Sequence, residues 1–269
     1  MTNSPSLTDR LLHRAPRVNL VRLHGMIATS GRARLSDATT APLLERAFRQ
    51  GRPQAVALSI NSPGGSPVQS SLIAARIRRL AEETGVKVHA FVEDVAASGG
   101  YWIAAAADEI LADRVSVLGS IGVVAGGFGA PEAIARLGLE RRIYTAGQNK
   151  SQLDPFRPEN PEDVARLQRL LDQMHVAFID HVRVRRGPKL ADDAELFSGQ
   201  FWLAEEAIAL GLADGIAHPV PHLKAAYGDK VRIVSYGIRR PFLSRFGLAL
   251  AEDALALAEE RALWARYGM

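Results

Sequence analysis

The sequence predicts an α/β fold with a largely parallel sheet, and three observations carry that prediction. Short apolar runs that read as strands alternate with segments of helical periodicity. The run Gln54 to Ile60 is almost continuously apolar, as expected of a strand buried on both faces. The strand-like runs give way to turns marked by glycine, proline or serine, most clearly at Asn61-Ser-Pro-Gly-Gly65.

In chain order, Arg17 to Leu23 alternates and reads as a first strand ended by His24-Gly25. Ser36 to Gln50 is helical, with Leu43, Leu44, Ala47 and Phe48 at helical spacing behind a cap at Ser36 or Asp37. After the strand 54–60 and its turn, Ile73, Ile77, Leu80 and Ala81 give residues 66–84 one apolar face, and Gly85 ends that helix. Strand Val86 to Val92, loop Glu93 to Ala97, a small-residue helix from Ser98 to Ala107 and strand Glu109 to Ala112 repeat the pattern. A glycine-rich stretch from Gly119 to Gly129 leads to a helix near Pro131 to Leu137, and Arg141 to Thr145 reads as a strand. A long helix over Pro161 to Arg186 carries the stripe Val164, Leu167, Leu171, Met174, Phe178 and Val182. Leu203 to Leu210 is a short helix closed by Gly211. Leu248 to Arg266 is an Ala/Leu-rich helix whose apolar side needs a partner. The expected division is a polar leader 1–16, one domain 17–235 and a helical tail 236–269.

A chain of 269 residues, 47% hydrophobic and 23% charged, can bury a full core without staples. It contains no cysteine, which excludes disulfides, thiolate metal sites and a cysteine nucleophile. The net charge is +4, with basic residues spread along the chain, so no nucleic-acid partner is expected. The first twenty residues lack the apolar stretch of a secretory signal. The longest uncharged run, Val115 to Pro131, falls short of the ~20 residues that span a bilayer. The expected location is therefore cytoplasmic. The tail residues Arg239, Arg240, Arg245, Phe242, Leu243 and Phe246 read first as an interdomain linker leading to a packing helix, and secondly as a peripheral contact to anionic lipid at the inner membrane.

Ser98 follows a strand and loop, precedes Gly99-Gly100 and opens a helix of small residues. A serine at such a strand-to-helix turn is held exposed, and the helix N-terminus stabilises negative charge near its oxygen. Taken alone, the same position suits a helix cap. A serine nucleophile needs a base. The seven histidines (His13, His24, His89, His175, His181, His218 and His222) are isolated in sequence and read as surface or satisfied core residues. Lysine is the other known partner, and only Lys87, Lys150, Lys189, Lys224 and Lys230 exist. Lys150 follows a strand-like run and the turn Ala146-Gly-Gln-Asn149; by itself it reads as a solvated loop lysine. An oxyanion needs two aimed N–H groups, which Gly64 or Gly65 and Gly99 can present.

Together, LSINSPGGS (58–66), DVAASGGYWIAAAADEILA (94–112), GSIGVV (119–124), GQNKSQLDPF (147–156) and FSGQFWLAEEAIALGLAD (197–214) resemble the signal peptide peptidase A family of bacterial serine peptidases. The resemblance is ordered and covers roughly residues 17 to 218. It implies a Clp protease/crotonase-like fold of stacked β-β-α units, assembled as a homo-oligomer. It also implies a Ser-Lys dyad of Ser98 and Lys150, with Ser120 orienting the lysine amine and Gly64, Gly65 and Gly99 as oxyanion donors. The implied activity is hydrolysis of apolar extended peptides such as cleaved signal peptides, with no metal or cofactor. Many members carry an N-terminal membrane anchor, which this sequence does not show. Two other readings share the fold: a noncatalytic peptide-binding or scaffold protein, and an acyl-CoA enzyme that would leave the Ser-Lys pair without a purpose.

Overall fold

The computed structural model describes residues 15–29, 35–237, 261 and 264–268. Its centre is an eight-stranded sheet. The strands are β1 (Arg17–His24), β2 (Ala55–Ser62), β3 (Lys87–Ala97), β4 (Glu109–Ala112), β5 (Val117–Gly119), β6 (Phe201–Leu203), β7 (Gly215–Ile216) and β8 (Arg232–Tyr236). The main path runs β6-β5-β3-β2-β1-β8, with β4 beside β3 and β7 beside β4. All pairings are parallel except β5 with β6. The helices are α1 (Asp37–Arg49), α2 (Pro67–Thr84), α3 (Gly99–Ala105), α4 (Pro131–Arg136), α5 (Pro161–Arg186), α6 (Ala204–Ala209) and α7 (Pro219–Tyr227). None of the described helices is long and apolar enough to cross a membrane.

The alternation of side chains along β2 explains its unbroken apolarity. Val56, Leu58 and Ile60 join the larger core beneath α1, α2 and α3, while Ala55 and Ala57 join a second cluster with Val18, Leu20, Phe91 and Leu223 of α7. Both faces of the central strands are thus covered, and each fully buried Leu or Ile contributes roughly 1.5–3 kcal/mol. Local signals agree with this packing. Ser36 caps α1 reciprocally with Thr39, accepting from the Thr39 N–H at 3.2 Å while the Thr39 hydroxyl accepts from the Ser36 N–H at 3.0 Å. Pro67 opens α2, and Gly85 ends it in the left-handed conformation at φ 67°.

Two expectations need correction. Glu93 to Ala97 is not a loop. β3 runs on through it because Val95, Ala96 and Ala97 pair with β5, and the register with β2 shifts between Ile60 and Ser62. Asn61 bridges that shift, accepting from the Val95 N–H at 3.3 Å and donating to Asp94 at 2.5 Å. Arg141 to Thr145 forms no strand, since no neighbouring strand offers it a ladder and its side chains lie largely in solvent. The short strands β5 to β8 and helix α7 were not anticipated, because two- to five-residue strands carry almost no periodicity.

α5 docks only by its second half. Phe178 stacks on Trp102 of α3 at 4.6 Å between ring centroids, and His181 stacks on the same indole at 5.3 Å. The His181 Nε2–H donates to the Trp102 carbonyl at 2.9 Å, and burial holds the imidazole below its usual range, as a neutral ring. At the end of α5, buried Arg186 meets Asp214 as a fork, at 2.8 and 3.0 Å, and donates to the Gly211 carbonyl at 2.8 Å. Lys189 and the Ile110 N–H also donate to Asp214, at 2.6 and 2.7 Å.

Burial alone would raise the Asp214 carboxyl. The hydrogen bonds from Arg186, Lys189 and Ile110 outweigh it and bring the pKa from 3.8 down to about 2. A lowered folded-state pKa stabilises the fold above pH 3.8 and loses that contribution as pH falls toward 2. The contribution is on the order of 2 kcal/mol. Asp214→Asn should therefore cost about 3–5 kcal/mol in urea denaturation at neutral pH, since it strands the Arg186 charge. It should also flatten the wild-type loss of stability between pH 4 and pH 2.

Candidate active site

β2 and β3 are parallel neighbours, so the turns that follow Ser62 and Ala97 leave the same edge of the sheet side by side. Glycine makes their approach feasible. A Cβ on Gly64 (φ 102°) would stand 2.8 Å from the Gly99 nitrogen and 2.9 Å from the Ser98 Cβ. A Cβ on Gly100 would run into the Ser62 carbonyl, and one on Gly65 into the Ile27 carbonyl. The segment after β1 straps this turn in place, Ile27 N–H donating to Gly64 O and Ser66 N–H to Ile27 O, each at 2.8 Å. Among the described residues neither the Gly65 nor the Gly99 N–H donates a hydrogen bond, whereas the Gly64 N–H makes a long one, 3.3 Å, to the Ser62 hydroxyl.

Ser98 sits at the N-cap of α3, yet its side chain makes no capping bond. Its backbone lies at φ 52°, ψ −122°, a conformation that costs a non-glycine residue about 1–3 kcal/mol. Two hydrogen bonds impose it: Ser98 N–H to Gly119 O at 2.9 Å, and Trp102 N–H to Ser98 O at 3.0 Å. The residue is half-buried, with its Cβ against the glycine turn.

Ser120 lies one position beyond the last β3–β5 pair, Ala97 with Gly119, and so falls beside Ser98 across the ladder. It too has φ 52° and is 8% exposed, its N–H bound to Gln200 O at 2.7 Å. The Tyr267 hydroxyl lies 3.3 Å from Ser120 Oγ and 3.5 Å from Pro63 O, within a small cluster of Val95, Ala97, Val117 and Trp264. Phe201 meets the Tyr267 ring edge-on at 5.1 Å. Sequence reasoning missed Tyr267. The only signal was that the tail's apolar side required a partner, and most of that tail lies outside the described residues.

Lys150 is not brought to these groups within one chain. It is exposed, its N–H bonds Gly147 O at 3.3 Å, and its amine makes no hydrogen bond to Ser98 or Ser120. From Gly122 to Ala177 no residue is buried, so Lys150 rides on an arm standing clear of the core. The arm is braced within itself by Arg141, which pairs with Asp154 at 3.0 Å and lies over Phe156 at 5.0 Å. It exposes large apolar side chains, Phe128 at 95% and Tyr144 at 90% among them. The described histidines are engaged elsewhere. His175 donates to Ile121 O at 3.0 Å, His181 to Trp102 O, and His24 to Ser59 Oγ at 2.7 Å.

Against known proteins, the sequence matches the profile of peptidase family S49 over residues 81–220, more than half of the chain. The chain belongs to peptidase family S49. Among its S49 relatives, a protein of Methanocaldococcus jannaschii named as a protease is 30% identical over 73% of this chain and 64% of its own length. The chloroplastic serine protease SPPA of Arabidopsis thaliana is 29% identical over 74% of this chain and 29% of its own. A Brucella melitensis protein named as a Na(+)/H(+) antiporter is 49% identical over 98% of this chain, but the match spans only 39% of that longer protein. That name is therefore not carried over to the matched segment. A solved stomatin-specific protease, 1510-N, superposes with a TM-score of 0.48 at 16% identity, over 85% of this chain and 100% of that one. The chain thus spans between about a third and two-thirds of the length of these curated relatives.

The two glycine turns provide a direct test of the geometry. Gly64→Ala, with a positive φ and backbone within 3 Å, should cost about 2 kcal/mol or more in chemical denaturation. Gly85→Ala also has a positive φ but open space around it, and should cost about 1 kcal/mol.

Proposed function

We propose that this S49 chain is a serine endopeptidase acting on apolar, extended peptides such as cleaved signal peptides, through an acyl-enzyme on Ser98. The observation that carries the reading is the strained, uncapped Ser98 set between two N–H groups, of Gly65 and Gly99, that donate no hydrogen bond among the described residues. In this reading the Ser98 oxygen attacks the scissile carbonyl carbon and a neutral Lys150 amine takes the hydroxyl proton. The Gly99 N–H and one from the Gly64-Gly65 turn hold the oxyanion. Gly65 is the better donor of the two, because its N–H is free while that of Gly64 leans on Ser62. Collapse of the tetrahedral species expels the amine product, which takes the proton from Lys150. Water then attacks the ester carbonyl as the Lys150 amine takes its proton, and collapse of this second tetrahedral species releases the acid product and returns the proton from Lys150 to the Ser98 oxygen. No step calls on a metal or cofactor.

Lys150 has to come from a neighbouring copy of the chain. What supports this is its place on an arm without buried residues whose apolar side chains need cover, in a family already implying a homo-oligomer. Ser120 would then orient the incoming amine. Its hydroxyl can serve both that amine and Tyr267, having one donor and two acceptor sites. The proposed location is the cytoplasmic side of the inner membrane. The lipid contact through Arg239, Arg240, Arg245, Phe242, Leu243 and Phe246 lies outside the described residues. A noncatalytic scaffold is the second reading, favoured by the separation of Lys150 from Ser98 in the single chain. A fluorophosphonate probe separates the two, labelling Ser98 only if that serine is activated.

Ser98→Ala should abolish both probe labelling and peptide hydrolysis while circular dichroism stays unchanged. Lys150→Met, which keeps the bulk and loses the amine, should do the same to hydrolysis; His175→Gln or His181→Gln should leave the pH dependence of the rate in place. If the lysine crosses between subunits, co-assembled Ser98→Ala and Lys150→Met chains should regain about a quarter of wild-type activity, the share of sites that receive one intact serine and one intact lysine. Light scattering that found a fully active monomer would rule out the shared site.

A further inference from the structure

The sheet carries a second cluster of chemistry near its opposite end. His89 of β3 and Glu109 of β4 are a register pair, and His222 of α7 lies over them. The His89 Nδ1 lies 2.6 Å from Glu109 Oε2, and His222 Nε2 lies 3.3 Å from the same oxygen. One ligand atom from each of the three lies within 4.8 Å of the other two. Ser98 lies nine positions beyond His89, just past the end of β3, roughly 30 Å at ~3.3 Å per residue, so this cluster stands apart from the candidate active site.

We infer that His89, Glu109 and His222 form a binding site for a divalent transition ion of the zinc class, which fastens α7 to the sheet. Two imidazoles and a carboxylate are a zinc donor set, leaving a fourth position for water. With bonds of ~2.0–2.2 Å, a tetrahedral site places neighbouring ligand atoms about 3.3–3.5 Å apart. The His222–Glu109 edge already has that length. The His89–Glu109 edge must open by about 0.7 Å, a small side-chain rotation for a residue pair whose carboxylate is only half-buried.

The surroundings supply what a ligand histidine needs. His89 is 1% exposed, and its buried ring is held with Nδ1 turned to Glu109. Its other nitrogen, Nε2, lies 2.7 Å from the Tyr227 hydroxyl at the end of α7. Without metal, Nδ1–H donates to Glu109 and Nε2 accepts from Tyr227. With metal on Nδ1, the ring proton moves to Nε2 and donates to the Tyr227 oxygen. Tyr227 is thus a partner for either tautomer, the outer hydrogen bond that fixes a metal-bound imidazole. Among the described residues Lys87, 3.8 Å from the Glu109 oxygen, is the one competing cation in contact with the cluster, and its exposed side chain is free to swing away.

The test uses the full chain, stripped with a chelator and titrated with Zn2+ at neutral pH by isothermal calorimetry, with the melting temperature followed alongside. Binding of one ion per chain at micromolar or tighter concentration, with a rise in melting temperature, is expected. His222→Gln and Glu109→Gln, both at partly exposed positions, should weaken it 10- to 100-fold while the apo circular dichroism stays unchanged, and Tyr227→Phe should weaken it less. No binding below millimolar zinc, or equal affinity in His222→Gln and wild type, would overturn the site. Because the readout is metal affinity, the result is independent of whether Ser98 is a nucleophile.

Discussion

The parallel pairing of β2 with β3 is the constraint from which the site follows. Parallel strands deliver their carboxyl ends to one edge, so two turns far apart in sequence, Pro63 to Ser66 and Ser98 to Gly100, are forced into contact. Cβ atoms at Gly64 or Gly100 would break that contact, and one at Gly65 would push off the Ile27 backbone that straps the first turn. The glycines of SPGG and SGG are thus one requirement written twice. A ladder slipped by one residue would also turn Val56, Leu58 and Ile60 out of the larger core, so register and site geometry are protected by the same burial.

Strain at Ser98 and Ser120 is supported by the same sheet. Each has φ 52°, and each is held by a backbone bond to a neighbouring segment: Ser98 N–H to Gly119 O, and Ser120 N–H to Gln200 O. The antiparallel β5–β6 pair matters here because it presents Gln200 to Ser120 and Trp202 against Gly119, where a Cβ would lie 2.8 Å from the indole. A few kcal/mol of local strain persist because the alternative gives up ladder bonds and buried apolar contacts together. The hydroxyl of Ser98 remains uncommitted because that strained backbone denies it the role of helix cap.

What was legible in the sequence tracks the size of the burial signal. β1, β2, α1, α2 and the core half of α5 are long and amphipathic or wholly apolar, and their bounds fall within one or two residues of expectation. Glu93 and Asp94 disguised the continuation of β3, since two exposed acids next to a register shift imitate a loop. β6 and β7, three and two residues long, have no period to detect. At the site, Ser98 and the glycines were legible because each has a local backbone reason visible as a short motif. The Ser120–Tyr267 contact joins positions 147 apart, and the His89–His222 cluster joins two isolated histidines through a helix, α7, that sequence pattern did not reveal. Such pairs exist only once the sheet has been folded.

The described residues divide into a packed body and an arm, residues 122–177, with none of its residues buried. Ser98, Ser120 and the glycine turns sit on strands whose every neighbour is paired or packed, whereas Lys150 sits among residues 122–177, none of them buried. Removing the arm from solvent would bury apolar surface such as Phe128 and Tyr144 at roughly 25 cal/mol per Å², a gain the isolated chain leaves unused. In the proposed reading, exposed surface on the arm that carries Lys150 stores association energy in the element that would deliver the lysine to a serine. Covering the arm would, in that reading, order the lysine in the same event that makes an assembly. In the proposed reading the free subunit would then hold Ser98 without a proton acceptor, and hydrolysis would wait on the meeting of subunits.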